Sequence, residues 1–88
     1  MAAILKPDGT REQRDKISFK ECQEAVGGFV EPVYLRGKTL LANEDGPSLG
    51  LQLNQEATKL AGRRIVGTVV VLEAGAETEL VLGGPDED

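Results

Sequence analysis

Apolar positions along the chain change period several times, and each change marks an element. Ala2 to Leu5 is a short apolar run ended by Pro7-Asp8-Gly9-Thr10. That tetrad predicts a turn, because Pro presets φ, Asp caps locally and Gly tolerates positive φ. Arg11 to Ile17 is polar and reads as the return strand of a hairpin, at the edge of a sheet. Ser18-Phe19-Lys20-Glu21 has the spacing of a capping box, with Ile17 before it placed to pack on Cys22. Phe19, Cys22 and Val26 then recur at helical spacing until Gly27-Gly28, which predicts a helix from Phe19 to Val26 or Gly27.

Strand character returns from Phe29 to Leu35, with Phe29, Val33 and Leu35 on one face and Glu31 interrupting it. Pro32 cannot donate to a ladder, so this strand belongs at an edge or a bulge. Arg36-Gly37 predicts a tight hairpin to Lys38–Asn43, and Glu44-Asp45-Gly46-Pro47 a further turn. Leu49 to Leu53 alternates like a short strand. Asn54 is placed as an N-cap before Ala57, Leu60 and Ala61, with Gly62 as the stop. Ile65 to Leu72 is β-branched and apolar on both parities, the pattern of a central strand buried on both faces. Gly67 within it predicts a bulge or a close approach. The expected fold is α+β: a small, mostly antiparallel sheet of about four to six strands with two short helices on one face.

Composition narrows the chemistry. The chain has 88 residues, no His, no Trp, one Cys, one Tyr and two Phe. Without His there is no Ser-His-Asp or Cys-His catalytic set, and one Cys closes no internal disulfide. Cys22 lies on the apolar stripe of the first helix and reads as core. We therefore expect no enzyme, no cofactor and no metal site. The longest apolar stretch, Ile65 to Leu72, falls far short of the roughly 20 residues that span a membrane. The N-terminus shows no long apolar signal region, so the expected compartment is cytoplasmic. So small a core makes homo-oligomerisation a natural way to bury more surface.

The net charge of -5 and the scarcity of aromatic residues argue against nucleic acid as a partner. The charge is not evenly spread, however. Six of the 15 acids and none of the ten bases lie between Glu73 and Asp88, which leaves nine acids against ten bases over residues 1–72, a net of +1. We read residues 1–73 as a single domain and 74–88 as an acidic, Gly- and Pro-containing tail.

Between Lys6 and Leu72 the chain resembles the small proteins grouped as domain of unknown function 3846, common in phages, plasmids and bacterial genomes. The resemblance is carried by Pro7-Asp8-Gly9-Thr10, Val26-Gly27-Gly28-Phe29-Val30-Glu31, Asn43-Glu44-Asp45-Gly46, Leu49-Gly50-Leu51 with Asn54, Ala57 and Thr58, and Ile65-Val66-Gly67-Thr68. It implies a small accessory protein of a phage or mobile element and no particular activity.

Two readings follow. The first is a module that binds a host or bacterial protein, for which an exposed edge strand offers strand addition. The second is a binder or sponge of a small anionic ligand such as a signalling nucleotide. The candidate binding residues are Glu31, which interrupts an apolar face and would need Arg36, Arg63 or Arg64 if turned inward, with Asn43, Glu44, Asn54, Arg63 and Arg64. Arg11, Arg14 and Lys16 could join the arginine pair in a basic patch. Gly27-Gly28 follows a helix rather than preceding one, so it reads as a C-cap and not as a phosphate loop. Deleting residues 74–88 is expected to leave the melting temperature within a few degrees; a collapse seen by circular dichroism would move the domain boundary.

Overall fold

The computed structural model describes residues 2–73. Its strands are β1 (Ala2–Leu5), β2 (Arg11–Arg14), β3 (Val30–Leu35), β4 (Lys38–Asn43) and β5 (Val69–Glu73). Its helices are α1 (Phe19–Val26), α2 (Gly46–Leu49) and α3 (Gln55–Ala61). All strand pairs are antiparallel, in the order β2-β1-β5-β4-β3. The expectation of a small antiparallel α+β fold holds. The acidic tail lies outside the described residues. No described helix is long and apolar enough to cross a membrane.

Two hairpins form locally and β5 joins them. In the first, Lys6 N–H donates to Thr10 O and Thr10 N–H to the Asp8 carboxylate at 2.8 Å. The second turns at Arg36-Gly37, with Leu35 opposite Lys38. β5 then inserts between β1 and β4, with Ile4 opposite Val70 on one side and Leu41 opposite Val70 on the other. Charged β2 and Pro-containing β3 fall at the two edges, as their residues require.

The signals around α1 are all realised. Ser18 Oγ accepts from Glu21 N–H while the Glu21 carboxylate accepts from Ser18 N–H. Ile17 is buried with Cys22, so the first hairpin's return strand stops at Arg14 and the chain turns inward. Gly27 closes the helix at φ 83°, donating to Gln23 O. Arg14 reaches from β2 to Glu21 at 2.6 Å. Its guanidinium and the Ser18 N–H hold the Glu21 carboxyl below its ordinary pKa, the Ser18 bond contributing most.

Three expectations are corrected. The helices do not share a face: α1 packs Cys22 and Val26 on Ala2, Ile4, Leu41, Val70 and Leu72, whereas α3 places Ala57 against Leu5, Leu40, Val69 and Val71. A strand apolar on both parities needs cover on both sides, and each helix supplies one. The segment expected as a strand from Leu49 begins instead as the helical turn α2. Pro47 favours a first helical turn, and Gly50 ends it at φ 69°. Only Leu53 keeps strand pairing, as a lone bridge to Val66. Gly67, at φ 79°, separates that bridge from β5, so the apolar run from Ile65 is not one strand. A Cβ there would lie 2.7 Å from Leu51 Cδ1, the close approach anticipated for this glycine.

Asn54 ties these pieces together. It is fully buried, its Oδ1 caps α3 by accepting from Ala57 N–H, and its Nδ2 donates to Leu5 O at 3.0 Å and Gly67 O at 2.9 Å. Its own N–H donates to Ile65 O. One side chain thus links the end of β1, the approach to β5 and the start of α3. Asn54→Ala should cost roughly 2–4 kcal/mol, from the lost cap and two stranded carbonyls. Asn54→Asp should be at least as damaging at neutral pH, although Asp caps helices well, because a carboxylate would face those carbonyls. Urea unfolding of both variants measures the pair.

Candidate functional site

The loop after α3 is short and firmly held. Gly62 ends the helix at φ 71°, donating to Thr58 O. Thr58 Oγ1 accepts from Ile65 N–H at 2.9 Å and donates back to Ile65 O at 3.2 Å. This reciprocal pair clamps both ends of the segment that carries Arg63 and Arg64. Both arginines are exposed, and neither has an ion pair or hydrogen bond among the described residues.

Opposite them stand the start of β3 and the end of β4. Glu31, Ala42, Asn43, Pro47, Arg63, Arg64, Ile65 and Val66 surround a narrow cleft of about 50 Å³. Pro47, Arg64 and Val66 also border a wider cavity of about 460 Å³, completed by Gly50 and Leu51. The two share that wall, so together they form one groove between α2 and the Arg63–Val66 segment. Gly46 lets α2 approach this segment closely, since a Cβ there would lie 2.9 Å from Val66 Cγ2.

Four of the six residues singled out in the sequence therefore meet: Glu31, Asn43, Arg63 and Arg64. Glu31 is exposed and faces the arginines across the cleft without a close ion pair, so its place on β3 needs no buried partner. Asn43 is 5% exposed and serves the fold as well: Nδ2 donates to Val26 O, and Oδ1 accepts from Asp45 N–H. Glu44 is exposed beside the cleft, its N–H donating to Phe29 O, and it does not line the groove. Asn54 lies farther from it, in the core. Its amide is committed inside the core, so it cannot face a ligand.

The wider basic patch does not form either. Arg11 and Arg14 lie on β2, at the sheet edge opposite β3, and Arg14 is paired with Glu12 at 3.2 Å and with Glu21. Cys22 is fully buried, and burial pushes its thiol up to about 11, so it is protonated at neutral pH. Among the described residues no cluster of three or more His, Cys, Asp or Glu side chains is placed to hold a metal ion.

The sequence pattern misplaces the aromatic residues. Phe29 aligns with Val33 and Leu35 in the pattern, and Phe19 with Cys22 and Val26, as if both faced the core. In the structure Phe19, Phe29 and Tyr34 are 38%, 69% and 76% exposed, and these are all the aromatic residues the chain has. The signal that could have found them is the number of aliphatic residues: the buried set is complete without a ring.

A family model described as "Domain of unknown function (DUF3846)" matches residues 1–86. No curated protein and no solved structure matches the chain. The buried, protonated Cys22 should react with a thiol reagent only when the fold opens; fast native-state labelling, followed by absorbance, would contradict its placement.

Proposed function

The chain belongs to the family of domain of unknown function 3846, and we propose that it is a non-enzymatic accessory protein that binds a host protein through the side chains around β3. The observation that carries this reading is the exposure of every aromatic ring. A Phe or Tyr is the most effective core filler available to a small domain. Leaving Phe29 and Tyr34 in water forgoes stabilisation of about 1.5–3 kcal/mol per buried side chain. Aromatic side chains are, conversely, enriched where proteins meet and dominate binding energy there.

Phe29 immediately precedes β3 and Tyr34 lies within it, at a sheet edge. Strand addition is not the mode we favour. Pro32 removes a donor from the middle of β3, and the other edge strand, β2, is Arg-Glu-Gln-Arg. Both are devices that discourage edge pairing. A partner that takes the two rings into apolar pockets needs no backbone ladder. The same rings could instead seat a second copy of this chain, which the test separates. The cytoplasm of a bacterium carrying a phage or mobile element is the setting we propose, following the resemblance.

The test is capture from host lysate on the immobilised full chain, quantified by mass spectrometry, beside the Phe29→Ala/Tyr34→Ala double variant. Each ring, as an interface anchor, should contribute about 2 kcal/mol, roughly thirtyfold in affinity, so the double variant should bind the partner on the order of a thousandfold more weakly. Unchanged circular dichroism shows that the fold survives. No enriched protein, or enrichment indifferent to the rings, counts against the reading. Native mass spectrometry giving a dimer that the double variant abolishes assigns the rings to self-association instead.

A further inference from the structure

The groove beside Arg64 uses none of the three aromatic residues, and its character differs from theirs. Arg63 and Arg64 project from a segment clamped at both ends, so their backbone is positioned before anything binds. Neither makes an ion pair with a described neighbour. Guanidinium groups left free over a concavity are suited to phosphate, which they grip through two parallel hydrogen bonds. Arg64 lines both parts of the groove and can reach a group held in either.

The rest of the lining restricts the ligand further. The wider part, about 460 Å³, falls within the roughly 300–1,000 Å³ of ordinary small-molecule sites. Its walls are Pro47, Leu51 and Val66, apolar surfaces held in place by contacts at Gly46 and Gly67 where a side chain has no room. Such walls accept the face of a flat, weakly polar ring. Glu31 and Arg63 line only the narrow part, which at about 50 Å³ has no room for a ring, so the wider part is where a ligand of this size fits. Residues 1–72 carry a net charge of +1, so the folded part sets no general barrier to an anion.

We propose that this groove binds a nucleoside monophosphate-type ligand. Arg64, which borders the wider part, takes the phosphate, and Pro47, Leu51 and Val66 take the ring. The wider part of the groove uses none of the aromatic side chains, so either reading can fail alone.

The experiment is a heteronuclear NMR titration of the full chain with GMP, AMP, UMP, guanosine, inorganic phosphate and a short acidic peptide. At least one nucleotide should shift the amides of Leu51, Arg64 and Val66 saturably, and bind at least tenfold more tightly than guanosine or phosphate alone. Arg64→Ala, an exposed position whose melting temperature should not change, should weaken binding tenfold or more, and Arg64→Lys should recover only part of it. The proposal is overturned if no nucleotide saturates, if phosphate binds as tightly as every nucleotide, if Arg64→Ala binds unchanged, or if only the acidic peptide shifts these amides.

Discussion

The fold depends on β5 being shared by two hairpins that otherwise have no ladder in common. β1–β2 and β3–β4 each close through a local turn, but only Val69–Glu73 pairs with both β1 and β4. This strand comes last among the described elements, so the sheet is joined through pairings between segments distant in sequence. Its residues Val69 to Leu72 are at most 1% exposed, which requires apolar cover above and below. That requirement sets α1 on one side and α3 on the other.

The groove is a consequence of how the chain enters β5. Asn54, Thr58 and Gly67 bend the segment between α3 and β5 so that Ile65 and Val66 turn toward Leu53 and α2 instead of extending the sheet. The same bend lifts Arg63 and Arg64 to the surface over the ends of β3 and β4. A site thereby arises from connections rather than from the sheet, as is common where a rigid scaffold carries loops. Asn43 belongs to this frame too, since it bonds to the end of α1 while bordering the cleft.

A core of aliphatic residues and one thiol lets the three rings remain outside. Ala2, Ala3, Ala42 and Ala57 are buried, so the layers sit close together and offer little room for a Phe side chain. Phe29 and Tyr34 stand beside an edge strand that Pro32 deprives of one ladder donor. The exposed arginine pair beside α2 differs in chemistry from the rings around β3.

Local chemistry made much of this legible from the residues alone. The capping box at Ser18, the stop at Gly27, the Arg36-Gly37 hairpin and the Asn54 cap each act within four residues, so spacing determines them. The apolar run of β5 showed that a strand is buried on both faces, because its composition leaves no polar side. What the sequence could not decide is which elements meet across space. The two-sided placement of the helices, the split of Ile65–Leu72 at Gly67 and the exposure of Phe29 all depend on contacts between distant segments. Glu31 and Asn43 could be marked as candidates by type, as could the arginine pair. Their convergence on one groove, and the withdrawal of Asn54 into the core, followed only from the tertiary structure, because the direction of a side chain is set by what packs behind it.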